Sequence, residues 1–111
     1  MNNLKNKVQL IGHVGMNPEV RTTETGKKLA RLSIATNESY KNAKGERIST
    51  TQWHNIVAWG KLADIAEQYL QKGAEVLVDG KLVYREYTDK FGTRKNITEV
   101  LANDLLMLQK K

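Results

Sequence analysis

Only one stretch of this chain repeats its apolar residues at helical spacing. In Lys61 to Lys72, Leu62, Ile65, Ala66, Tyr69 and Leu70 recur at i, i+3, i+4, i+7 and i+8. Every other patterned stretch alternates, as strands do. A chain with one helix, whose strands alternate rather than run continuously apolar, is a poor candidate for a parallel α/β sheet. An all-β fold with one helix is the expectation. At 111 residues the chain has room for a single domain, 1–111.

The punctuation sets the order of elements. Lys7 to Val14 reads as the first strand, broken by Gly15-Met16-Asn17-Pro18. Thr22 to Lys28 reads as a turn and Leu29 to Ser39 as the second strand, with Ala30, Leu32 and Ile34 on one face. Tyr40 to Glu46 is polar and reads as a hairpin tip, and Ile48 to Trp59 as the third strand. After the helix, which Gly73 is expected to cap, Glu75 to Tyr87 reads as the fourth strand with a bulge or bend at Gly80. Thr88 to Arg94 is a second polar tip, and Lys95 to Gln109 the fifth strand. The order β-β-β-α-β-β is that of the OB-fold, a five-stranded Greek-key barrel with one helix between strands 3 and 4. An open five-stranded sheet under the helix is the alternative.

Several chemistries lack their residues. There is no cysteine, so no disulfide, thiolate metal site or Cys nucleophile is expected. His13 and His54 are the only histidines, and no phosphate loop, nucleophile elbow or zinc-protease motif occurs. The carboxylates mostly sit beside basic residues, as in Arg85-Glu86 and Asp89-Lys90, the pattern of a solvated surface. No enzyme activity, cofactor or metal is expected. No apolar run approaches the roughly 18 residues of a membrane span, and Met1 to Lys7 is too polar for a secretory signal. A cytoplasmic protein is the expectation. Lys and Arg count 18 against 12 for Asp and Glu, a net charge of +6. That points to a polyanionic partner without choosing duplex from single strand.

The aromatics choose. Tyr69 on the helix stripe and Tyr84, in phase with Val76, Val78 and Leu82, are expected inside. Trp53 and Trp59 are six residues apart on one strand and so share a face, with Asn55 and Val57 between them. Tyr87 shares its face with Arg85, Val83, Lys81 and Asp79, too charged a set for a core. Tyr40 and Phe91 fall at the hairpin tips beside Lys41 and Lys90. Aromatics interleaved with cations suit single-stranded nucleic acid, whose bases stack and whose phosphates need positive charge. Core or subunit contacts remain the alternative for Trp53 and Trp59.

These residues bring a resemblance into view. Asn6-Lys7-Val8 with Leu10, Gly12 and Gly15; Pro18-Glu19-Val20-Arg21; Ala35-Thr36 with Glu38-Ser39; Trp53-His54; Gly60-Lys61-Leu62-Ala63; Tyr69-Leu70 with Lys72-Gly73; and Thr98-Glu99-Val100 follow one another from about Asn3 to Leu108. The ordered set resembles the bacterial-type single-stranded DNA-binding proteins, the tetrameric OB-fold family. The resemblance implies base stacking by Tyr40, Trp53, Trp59 and Tyr87. It implies phosphate contacts from Lys7, Arg21, Lys61, Lys72 and Arg85, with candidate loop contacts at Lys41, Lys44, Lys90, Phe91 and Arg94. Asn55 stands where some relatives carry a basic residue. Lys7, Val8, Gln9, Leu10, Ile11 and His54 fall at the implied subunit interfaces, the first strand pairing with its twin and two dimers forming a homotetramer.

The implied partner is single-stranded DNA, coated with little sequence preference during replication, recombination and repair, at the nucleoid. The family commonly continues into a flexible linker and an acidic tip that recruits replication and repair proteins. This sequence ends in Leu108-Gln109-Lys110-Lys111, so a short form or core without that tail is expected, which leaves those partners in question. A primosomal or RNA-binding relative on the same barrel, or a protein-interaction module, is the competing reading.

Overall fold

Two long hairpins and a shared first strand make the barrel. The structure, a computed structural model, describes residues 4–108. A short 3-10 turn (Leu4–Asn6) leads into β1 (Val8–Val14). Then follow β2 (Glu19–Thr22), β3 (Lys28–Lys41), β4 (Arg47–Trp59), α1 (Lys61–Tyr69), β5 (Glu75–Thr88) and β6 (Arg94–Met107). β3 and β4 form one antiparallel hairpin, and β5 and β6 the other. β4 and β6 join in parallel where Ile56 and Val57 meet Val100 and Leu101. β1 runs antiparallel to β5 from Val8 to His13 and meets β3 at His13 and Val14. Five strands thereby close into the expected barrel, and the open-sheet alternative falls.

A sixth strand was not legible. β2 pairs only with β3, placing Glu19 to Thr22 opposite Arg31 to Lys28. Its single apolar residue, Val20, packs on the core, and one inward residue is too few to read as alternation. In chain order the helix therefore lies between β4 and β5, one strand later than expected. Among the five barrel strands its place is the expected one. The expected strand end at Gln109 and the start of the resemblance near Asn3 lie outside the described residues. Lys7 lies just outside β1.

The core forms from the inward phases of the strands, Ala30, Leu32 and Ile34 on β3 with Ile56 and Ala58 on β4, closed off by the helix. The helix buries Ala63 and Ala66, but Tyr69 is 54% exposed, against expectation. The helix stops at Tyr69, three residues before the expected end, and Leu70 leaves helical geometry to drop into the core. Tyr69 is thereby left on the rim. Gly73 lies beyond the end and donates its N–H to the Val14 carbonyl at 2.8 Å. Tyr84 is likewise exposed, at 72%. Its phase is right, but the hairpin's last pairing with the barrel is at Val100, opposite Leu82, and Tyr84 lies beyond it. The register slips at Gly80 as expected, so that Gly80 faces Ala102 and Asn103 is the extra residue.

Closure of so small a ring forces a close approach. A Cβ on Gly12 would stand 2.3 Å from the Ala35 carbonyl oxygen, and one on Gly80 2.2 Å from that of Leu101. Neither neighbour can rotate away, because each is strand backbone. Gly12→Ala should destabilise the chain by about 1–3 kcal/mol, the cost of overpacking a well-packed site. Denaturant unfolding checks this. An unchanged midpoint would mean that the β1–β3 approach is not what closes the ring.

Candidate nucleic-acid interface

Alternation that sends Ile56 and Ala58 inward must send their neighbours outward. On the outer face of the β3–β4 ladder, Trp53, Asn55, Val57 and Trp59 stand opposite Ala35, Ser33, Arg31 and Leu29. Trp53 is 61% exposed and Trp59 40%. Six residues of strand separate the two backbone positions by about 20 Å. The Trp53 indole lies against Gly15, where an added Cβ would stand 2.3 Å from Cζ3. One side of the ring is thus supported by backbone while much of the rest faces solvent.

Two open grooves flank this row. The first, of about 320 Å³, is lined by residues that include Arg31, Ser33, Asn55, Arg85 and Glu99. Glu99 is only 5% exposed and pairs with both arginines. Arg85 donates from Nε to Oε1 at 3.3 Å and from Nη2 to Oε2 at 3.2 Å, and Arg31 donates from Nη1 to Oε2. Hydrogen bonding to Glu99 raises the Arg85 guanidinium above its ordinary range, so it is charged at any working pH. Arg85 also lies over the Tyr87 ring, 5.9 Å from its centroid. The second groove, of about 530 Å³, brings Trp59 together with Lys61, Lys27 and Lys28. Lys28 is bound by two helix carboxylates, Asp64 at 2.7 Å and Glu67, whose hydrogen bonds raise its pKa.

The five expected phosphate cations are not alike. Lys61 and Lys72 are exposed and hold no ion pair among the described residues. The backbone N–H of Lys72 is anchored to Asn17 Oδ1 at 2.9 Å. Lys7 is paired with Asp79 at 2.8 Å, Arg21 with Glu19 at 3.1 Å, and Arg85 with Glu99. At the tips, Lys90 lies over Phe91 at 5.4 Å and Arg94 pairs with Glu86 at 2.6 Å. Lys41 and Lys44 are exposed, as is Tyr40. Tyr40 does not join the tryptophan face: counted along β3 it takes the phase of Ile34, not of Ala35. His54 is half-buried and shares a 2.9 Å hydrogen bond with Thr36 Oγ1.

Sequence reasoning missed Glu99 as a component of this surface. Its neighbours Thr98 and Val100 gave no sign, because the arginines that hold it come from β3 and β5. Arg31 carries no local mark of its pairing either, because Glu99 lies on another strand. Among the described residues no group of three or more His, Asp or Glu side chains is placed to hold a metal ion, and no helix is long and apolar enough to cross a membrane.

A closed five-stranded antiparallel-rich barrel with one helix is the architecture of the OB-fold. The model of the single-strand binding protein family matches residues 5–108, and the chain belongs to that family. Single-stranded DNA-binding protein 1 of Chlorobaculum tepidum is 47% identical over 107 residues, covering 96% of this chain and 66% of that protein. The single-stranded DNA-binding protein of Xanthomonas campestris is 41% identical over 103 residues, covering 93% and 60%. The chain thus spans less than two thirds of the length of either. The structure of a Plasmodium falciparum SSB in complex with ssDNA superposes with a TM-score of 0.84 at 37% identity, covering 94% of this chain and 95% of that one.

The seat of Trp53 on Gly15 can be tested without a ligand. With Trp59→Phe as background, Gly15→Ala should push the remaining indole outward and shift its emission to the red. An unmoved spectrum would mean that the ring does not rest on Gly15.

Proposed function

We propose that this chain binds single-stranded DNA with little sequence preference and coats it, without catalysis, during replication, recombination and repair. The observation that carries the reading is the pair of outward indoles on one ladder face, each beside a cation-bearing groove. Bases offer π-faces of every sequence to such rings, at roughly 1–3 kcal/mol per stacked base. In this reading Trp53, Trp59, Tyr87 and Tyr40 stack, Tyr40 from the projecting hairpin. Lys61 and Lys72 are the principal phosphate cations, because neither gives up a partner to bind. Lys7, Arg21 and Arg85 contribute less, since each must first leave a carboxylate. Lys41, Lys44, Lys90, Phe91 and Arg94 extend the track along the tips. The binding unit is the single barrel domain, residues 1–111, and its setting is the nucleoid.

Assembly belongs to the same proposal. β1 pairs with β5 along Val8 to His13 but meets β3 only at His13 and Val14. The backbone edge from Val8 to Gly12 thus has no strand partner among the described residues, and a second copy of β1 could pair there. A dimer of dimers would then place several tracks on one strand and raise avidity without new contacts. His54 and Lys7 would lie at these interfaces.

Titration with oligo-dT, read by Trp emission at several salt concentrations, tests the reading. Quenching at low salt is expected, with a slope of log K against log salt of roughly −3 to −4 per subunit if about 4–6 phosphates are neutralised. Trp53→Ala should weaken binding roughly 10- to 100-fold, more than any single lysine change, and leave that slope nearly unaltered. Absence of quenching sinks the DNA reading, and equal competition by oligo-rU sinks its preference for DNA.

A further inference from the structure

A polyanion track is an unfavourable place for a buried carboxylate, yet Glu99 lies at the floor of the groove beside Asn55 and Arg85. It repels phosphate and cancels one cation. All three of its side-chain hydrogen bonds come from Arg31 and Arg85, so whatever it does for the groove passes through those guanidiniums. Two guanidiniums sharing one carboxylate carry a net charge of +1 rather than +2. What they keep is shape. A carboxylate that binds a guanidinium along its edge does not cover its planar faces; Arg85 already lies over the Tyr87 ring, which leaves its other face for a base. A guanidinium plane can stack on a base.

We propose that Glu99 is a positioning residue that sets Arg31 and Arg85 as a flat stacking floor for a base of the bound strand and removes them from the phosphate-neutralising set. The proposal rests on the reading that the chain binds single-stranded DNA. Different parts of the surface then hold different parts of the strand. A base lies in the groove of Arg31 and Arg85, and phosphates are held elsewhere on the surface by lysines without an ion pair, Lys61 in the second groove among them. Arg85, which the resemblance counts among the phosphate contacts, is thereby reassigned to stacking.

The oligo-dT titration, repeated on the intact chain with two variants, tests it. Arg85→Lys keeps the charge and loses the plane. Affinity should fall about 5- to 100-fold at every salt concentration, with the slope unchanged. Glu99→Gln keeps the shape and frees the two arginines to seek phosphate. The slope should steepen by about 0.7 to 1.4, the contribution of one or two phosphates. A carboxylate that only stabilised the fold would leave the slope alone. Wild-type affinity in Arg85→Lys, or an unchanged slope in a folded Glu99→Gln, overturns the proposal. If circular dichroism finds Glu99→Gln unfolded, Arg85→Lys decides alone. If the unmodified chain fails to bind oligo-dT, the DNA reading falls and takes this proposal with it. If the unmodified chain binds and the variants disagree, only the stacking floor falls.

Discussion

The first strand has to serve two partners, and the rest of the structure depends on its doing so. β1 holds β5 along six residues and then crosses to β3, where Gly12 lets the two backbones approach more closely than any side chain would permit. That crossing turns two separate hairpins into a closed ring. Once the ring is closed, the inward phase within the barrel is committed to the core, and the opposite phase of β4 turns Trp53 and Trp59 away from it. Trp53 and Trp59 are exposed because Ile56 and Ala58 must be buried. Gly15, the residue that follows β1, lies against the Trp53 ring. Closure and surface therefore share one element.

The net charge of +6 is unevenly available. Several cations that look equivalent in sequence are engaged: Lys7 by Asp79, Lys28 by Asp64 and Glu67, Arg31 and Arg85 by Glu99, Arg94 by Glu86. The exposed pairs are weak and screened, and a phosphate could compete for their cations. The pair at Glu99 differs, because its carboxylate is out of water and would be left uncompensated if the arginines departed. Of the five cations the resemblance assigns to phosphate, Lys61 and Lys72 are the two with no ion pair among the described residues.

Much of this was legible in the chain. Period-two alternation over Leu29 to Ser39 and Ile48 to Trp59 predicts the hairpin, and the parity of Trp53 and Trp59 predicts their shared face. Gly80 predicts the bulge. The readings that failed share one cause. Tyr69 and Tyr84 have the phase of core residues, but phase says which way a side chain points and not whether anything waits there. The helix ends before Tyr69 can be covered, and the β5–β6 hairpin outruns the barrel beneath Tyr84. β2 was too short to show a period at all.

By itself the sequence determined the class of fold, the order of the barrel strands, the place of the single helix and the residues able to stack or carry charge. These are local properties: periodicity, turn chemistry and residue type act over a few positions. Only the tertiary structure decided which of those residues meet. Glu99 lies between Arg31 and Arg85 because β3, β5 and β6 converge there, from positions 68 and 14 residues away in the chain. Pairing, burial and the division between free and engaged cations are properties of that convergence, and no local pattern encodes a contact whose partners are set by how a ring of strands closes.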